Sequence, residues 1–399
     1  MGPHETPYEF GFFEFGIRFN REYPSKAPNV TCITTNSGRT RFNPNIYATG
    51  KVCLTWRGER GEEWSSAQGL ESILLSIQSL MSSNPYENEP GFENANSKAD
   101  RLAQKQYVEK IRHETLRITV ITRLENYLGI KPNEKNGHSC SATPTAASTI
   151  PKKPCKGDEA EDVNAPFEPF KDLCKRRFLW YFDSYLAAVQ QGKAEIKDQT
   201  PFVKMPFESP GNNSMDGSFN YTNLESRLYA IKAALDVEAC TWVARGLMAM
   251  TNETTVAANL QHQFDQVTTY LKRGDMPHSV ALVDNNPFEW IITYFGRPMT
   301  NLDGGLFRIK LVFSQRFPHE QPRVRFETKI FHHHVAADGT ACYSPNPMKI
   351  EDVRSHIEAI FATLEDDEPA YDPRKIVNPE ATKMFWGKKP DDKKMDFPE

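Results

Sequence analysis

One layout occurs twice along this chain, about 290 residues apart, and few features restrict a fold more. The first copy reads Glu9-Phe-Gly-Phe-Phe-Glu-Phe, then Tyr23-Pro24, Pro28, Phe42-Asn43-Pro44-Asn45 and Cys53. The second reads Asp303-Gly-Gly-Leu-Phe-Arg-Ile, then Phe317-Pro318, Pro322, Phe331-His332-His333-His334 and Cys342. Phe13, Pro24, Pro28 and Val30 map onto Phe307, Pro318, Pro322 and Val324 at one constant offset, and a second constant offset runs from Asn45/His334 through Cys53/Cys342. In both copies a polar side chain stands eight residues before the cysteine. Repetition on this scale predicts two domains of one fold, each presenting a thiol.

A chain of 399 residues has room for two or three cores, since single domains mostly run to about 100–150 residues. Segments 11–19, 30–34 and 52–56 read as strands, the first two separated by proline breaks. Leu70, Ile73, Leu74, Ile77, Leu80 and Met81 follow helical spacing, which predicts a helix over 67–82, and a second helix is expected over 97–128. The first unit (1–128) is therefore α+β, an antiparallel meander backed by helices. Residues 129–165 carry almost no large apolar side chain and read as a disordered linker. A helical extension follows over 166–250, where Thr222-x-x-Glu225 looks like a capping box. The second unit covers 256–388, with a helix to about Lys272, strands near 288–294, 306–313, 324–327 and 340–343, and a helix through Val353, Ile357, Ile360 and Leu364. A charged tail, 389–399, ends the chain.

The net charge of −4 gives no reason to expect nucleic acid or an anionic membrane as partner, and no apolar stretch approaches the roughly 20 residues of a membrane span. Seven cysteines, odd in number and without C-x-x-C spacing, favour a reduced protein of the cytoplasm or nucleus over a disulfide scaffold. The run His332-His333-His334 with Cys342 raises a metal site. Adjacent residues of an extended segment point to opposite faces, so none is expected, and no other cofactor is implied.

In this order the motifs resemble the ubiquitin-conjugating enzyme family: Gly2-Pro3, Thr6-Pro7-Tyr8, Gly11, Tyr23-Pro24, Pro28, Phe42-Asn43-Pro44-Asn45, Trp64-Ser65 and Ala67-Gln68, with Asn45 and Cys53 at the family's spacing. Finer runs are similar to its Z-type branch: Gly50-Lys51-Val52-Cys53-Leu54, Ser76 to Met81, Asn84-Pro85-Tyr86, Asn88 to Glu93, Ile111 to Thr115 and Phe219-Asn220-Tyr221. The second unit resembles the family more distantly, including Val377 to Ala381. The resemblance implies two four-stranded conjugating-enzyme folds. The first begins at its second strand, lacking the N-terminal helix and first strand, unless the helices at 167–193 and 222–247 fill that place.

The resemblance further implies that Cys53 accepts ubiquitin, or a ubiquitin-like protein, as a thioester and passes it to lysine directly or through a ligase. ATP is then used by the activating enzyme rather than here. Thioester exchange is close to isoenergetic, so a thiol that is only a few per cent ionised at neutral pH suffices if the partner orients it. Asn45 is expected either to stabilise the oxyanion formed by an attacking amine or to pin the loop. Glu87 and Glu89 stand where a carboxylate can orient that amine, though a solvated loop carboxylate is the plainer reading. In the second copy Cys342 and His334 hold the corresponding places, but His334 replaces the asparagine and the Trp-Ser pair is missing. A degenerate scaffold is expected there. The rival reading of the whole chain is a non-catalytic ubiquitin-binding adaptor.

Overall fold

The computed structural model describes residues 1–54, 64–131, 168–208, 215–251, 255–274, 277–366 and 376–387. Nearly all of the expected linker and the whole of the charged tail lie outside those residues.

In the first unit β1 (Phe15–Arg18) and β2 (Asn29–Cys32) pair antiparallel, Ile17 opposite Val30. The strand expected at 52–56 is reduced, in its described part, to isolated bridges from Lys51 to Thr31 and from Val52 to Ile46. A tight turn causes this. Gly50 sits at φ +88°, and its carbonyl accepts the Cys32 N–H at 2.8 Å. A Cβ at this position would lie 2.7 Å from the Cys32 oxygen, so only glycine lets the chain cross here and carry on to Cys53.

Helix α1 (Leu70–Leu80) lays Ile73 and Ile77 on the strands, as its spacing predicts. The expected helix over 97–128 is a run of three pieces: α2 (Lys98–Glu114), a π-helical segment (Thr115–Thr122) and α3 (Arg123–Leu128). It starts at a reciprocal Ser97–Asp100 capping box. The widened turns coincide with threonine hydroxyls that donate to backbone carbonyls, Thr119 to Thr115 at 2.7 Å and Thr122 to Arg117 at 2.8 Å.

Glu114, at the end of α2, is buried and held by Arg117 at 2.8 and 2.5 Å and by the His113 ring at 3.1 Å. Burial alone would raise its pKa; the Arg117 and His113 bonds outweigh that and bring it down to about 2. A carboxyl depressed below its unfolded value stabilises the fold above the unfolded pKa and loses that stabilisation as pH falls toward the folded one. Glu114→Gln is therefore expected to cost about 3 kcal/mol at neutral pH and to flatten the loss of stability between roughly pH 4.5 and 2, read by urea denaturation across that range.

Helices α4 (Lys171–Trp180), α5 (Phe182–Glu195) and α6 (Tyr221–Thr251) form the extension. The capping box expected at Thr222 and Glu225 is not how α6 begins. Asn220 caps it, accepting the Asn223 N–H at 3.0 Å, and Asp198 accepts the Tyr221 N–H at 2.7 Å. The aspartate arrives through tertiary structure and displaces the local pairing. Helix α6 runs roughly 46 Å at 1.5 Å per residue and buries Leu224, Leu228, Ile231 and Leu235 near its start, Trp242, Gly246 and Ala249 near its end. Its first half packs with α4, α5, Phe10 and Phe12 of the first unit; its end joins the core of the second. Gly246 lets Phe288 of the second unit approach, since a Cβ there would lie 2.7 Å from that side chain.

The helices of the extension pack against the start of the first unit. Phe10 stacks on Tyr181 at 4.1 Å, and the Tyr185 hydroxyl donates to the Phe10 carbonyl at 2.9 Å.

In the second unit α7 (Thr255–Arg273) precedes a four-stranded antiparallel meander of β3 (Ser279–Val283), β4 (Asn286–Phe295), β5 (Leu306–Val312) and β6 (Arg323–Phe326). Strand β3 escapes the periodicity because it is short. It is joined to β4 by Asp284-Asn285, both at positive φ as a tight hairpin needs. Residues 340–343, expected as a strand, contribute only bridges from Thr340 to Arg325 and from Ala341 to Val335. Helices α8 (Val353–Glu365) and α9 (Pro379–Gly387) follow.

Candidate active site

The two copies repeat one hydrogen-bond scheme as well as one spacing. In the first, Cys53 N–H donates to the Asn45 carbonyl at 2.8 Å and Cys32 N–H to Gly50; in the second, Cys342 N–H donates to the His334 carbonyl at 2.9 Å and Phe326 N–H to Gly339. Each pattern places a cysteine beside a short turn whose polar residue stands across from it.

The first copy does not bury its cysteine. Cys53 and Asn45 are both half-buried, at the surface between the turn and the end of the bridge. Beneath them is a residue that sequence reasoning quoted only as part of a motif. Asn43 is fully buried; its amide donates to the Leu80 carbonyl at 2.7 Å and to the Tyr8 hydroxyl at 2.9 Å, and its oxygen accepts the Asn45 N–H at 2.8 Å. Tyr8 donates in turn to the Phe42 carbonyl at 2.7 Å. Burial pushes the Tyr8 phenol well above its ordinary pKa, against the Asn43 bond, so it stays a donor. Asn88 also reaches the Leu80 carbonyl, at 2.8 Å. This network makes the Asn45 turn a rigid attachment to α1. The signal was the Asn-x-Asn spacing, which suits an asparagine side chain bonding the backbone two residues on.

The two loop carboxylates part company. Glu89 pairs with the buried Arg41 at 3.0 Å, and Arg41 also donates to the Pro44 carbonyl at 2.5 Å and lies 4.5 Å over the Tyr47 ring. Glu89 thus braces the turn through Arg41. Glu87 is exposed at the end of that loop.

The second copy buries its thiol. Cys342 is 5% exposed and sits in the core shared with Phe10, Phe12, Tyr185, Ala336 and Val377. Burial and neighbouring rings press the imidazoles of His332 and His333 down to about 4 and about 3, so both are neutral at pH 7.

The ground on which a metal site was set aside does not hold. The bridge from His332 to Val335 closes a tight turn with His333 and His334 at its centre, so the segment is not extended. Their rings converge, with centroids 4.3 Å apart.

A family model described as ubiquitin-conjugating enzyme matches residues 1–115 and 260–384. Human ubiquitin-conjugating enzyme E2 Z is 37% identical over 232 residues, 58% of this chain and 52% of that protein. The Xenopus tropicalis protein of the same name is 52% identical over 237 residues, 58% of this chain and 59% of that one. This chain thus spans between about half and three fifths of the length of these curated relatives. A solved human ubiquitin-conjugating enzyme E2 G1 is 25% identical and covers 28% of this chain and 96% of that chain, with a TM-score of 0.25. At that score the superposition adds no argument about arrangement. Among the described residues no helix is long and apolar enough to cross a membrane.

Proposed function

We propose that this chain, which belongs to the ubiquitin-conjugating enzyme family, accepts ubiquitin or a ubiquitin-like protein as a thioester on Cys53 and passes it to lysine, directly or through a ligase. The observation that carries this reading is the half-exposed Cys53 bonded at 2.8 Å to a turn that Asn43 anchors in the core.

In the charging step the Cys53 sulfur attacks the thioester carbonyl on the activating enzyme. A new carbon–sulfur bond forms, the old one breaks, and the departing thiolate takes up the proton that Cys53 gives up. In the transfer step a lysine amine attacks the Cys53 thioester, and negative charge collects on the carbonyl oxygen. The Asn45 amide is the nearby neutral donor for it. A preorganised donor of this kind typically changes the rate by about 10²–10³. Collapse of the intermediate breaks the carbon–sulfur bond and leaves an amide on lysine, and the departing Cys53 thiolate takes up the proton that the amine gives up. Glu87 takes the part of the amine-orienting carboxylate in this reading, which its exposure supports, since Glu89 is engaged by Arg41. The partners of this scheme are the modifier, an activating enzyme that consumes ATP, ligases and protein targets.

The buried Cys342 favours a second role for the second unit, that of scaffold, with the adaptor reading confined to that half of the chain.

A charge-and-chase experiment tests the proposal. The chain is mixed with activating enzyme, ATP and ubiquitin, chased with free lysine, and run on gels without reductant. A reductant-labile adduct is expected that lysine discharges, with Asn45→Ala charging normally and discharging roughly 10²–10³ more slowly. A chain that forms no labile adduct with ubiquitin or any ubiquitin-like protein rules out the enzymatic reading.

A further inference from the structure

We propose that His333, His334 and Asp366 form a binding site for one divalent cation of the zinc class, which clips the end of α8 to the turn beneath Cys342. Each of the three residues offers one ligand atom, and these atoms all lie within 4.8 Å of one another. His334 Nε2 is already 3.5 Å from Asp366 Oδ2.

Two independent observations point to a ligand. The first is the convergence just given, from two elements distant in sequence. The second is that His333 is 5% exposed and its Nε2 is buried with no hydrogen-bond partner. Buried polar atoms are rarely left so, and each one calls for an explanation. In the tautomer that carries its proton on Nδ1, this nitrogen offers a cation an unshared electron pair.

The donor set selects the metal class. Two imidazoles with one carboxylate suit zinc, at about 2.0–2.2 Å from each ligand, whereas magnesium and calcium prefer oxygen throughout. Tetrahedral ligation at those lengths puts ligand atoms roughly 3.4 Å apart. The His334–Asp366 pair meets that spacing, and the third ligand atom, within 4.8 Å of the others, has at most about 1.4 Å to close. Three protein ligands leave a fourth position for water.

The surroundings are built to hold such a site. The His333 carbonyl accepts the Val377 and Asn378 N–H groups at 3.0 and 3.2 Å, which fixes the turn from the far side. His332 repeats the part of Asn43, its Nδ1 accepting the His334 N–H at 3.2 Å as the Asn43 oxygen accepts that of Asn45. The second copy thus keeps the turn but replaces the amide network that anchors it in the first copy. The His332 ring already bonds the Asp366 backbone, and a cation on the neighbouring side chains adds a second tie between this turn and the end of α8.

The test uses the full chain, stripped with chelator and titrated with Zn²⁺, following heat of binding and melting temperature together. One equivalent is expected to bind and raise the melting temperature, and Co²⁺ in its place is expected to give the visible absorption of a tetrahedral site. Asp366→Asn, at a half-exposed side chain that the fold tolerates, and His334→Gln are each expected to weaken binding at least ~10-fold and to remove the rise in melting temperature. Circular dichroism checks that both variants fold. No uptake by the unaltered chain at micromolar zinc overturns the proposal. So does uptake that is the same in the unaltered chain and both variants, because the ion then sits elsewhere.

Discussion

Cys53→Ala is expected to abolish the labile ubiquitin adduct outright, while Cys342→Ala charges as the unaltered chain does. The two thiols share a spacing, a turn and a backbone hydrogen bond, and the histidine that replaces the asparagine in the second copy does not by itself say which thiol can be reached. Burial does. A thiol that takes an acyl group from another protein must be reached by the modifier's tail and by the partner's thioester together. Cys53 lies half-exposed, whereas Cys342 is 5% exposed in a core of aromatic and aliphatic side chains. Removing the Cys342 sulfur is expected to cost about 1 kcal/mol of stability, the ordinary price of a small core change, and nothing in charging. Peptide mapping of the adduct checks the assignment. An adduct on Cys342, or one that survives Cys53→Ala, would show that the second unit opens in solution to expose its thiol.

Lys110→Met carries the largest expected loss of stability, about 3–5 kcal/mol. The Lys110 ammonium, on α2, donates to both Glu208 oxygens at 2.6 and 2.7 Å and to the Val203 carbonyl at 3.0 Å. Glu208 also accepts the Met205 N–H at 2.9 Å. The two side chains are 1% and 5% exposed. Burial disfavours the ammonium and lowers the Lys110 pKa, with the Glu208 carboxylate pulling the other way. Removing the lysine leaves a carboxylate in the core without its counter-charge, which costs far more than the pair contributes when intact. The double variant Lys110→Met with Glu208→Leu is therefore expected to recover most of the loss. Urea denaturation midpoints measure both, and a single variant within 1 kcal/mol of the unaltered chain would show that the segment around Val203 is not tied to α2 through this pair.

The first unit's helices were legible where one apolar face repeats, as at Ile73 and Ile77, because burial of a stripe is a local pattern. Strand β3 and the cap of α6 were not. The first depends on a two-residue turn whose backbone sign no periodicity reports, and the second on Asp198, which only folding brings to Tyr221. Within the candidate site Cys53 and Asn45 could be named from the resemblance of the motifs around them to the conjugating-enzyme family. Asn43, Arg41 and the division of labour between Glu87 and Glu89 could not, since these depend on what lies on the other side of the turn.

The order of residues alone determined that one layout repeats, that each copy sets a cysteine eight positions after a polar turn residue, and that this residue is asparagine in the first copy and histidine in the second. Tertiary structure alone decided which sulfur meets solvent and which is sealed, because exposure is a property of what packs over an atom rather than of its neighbours in the chain. It also decided that three successive histidines curl into a turn and meet Asp366, a convergence that depends on the path of the backbone between distant segments.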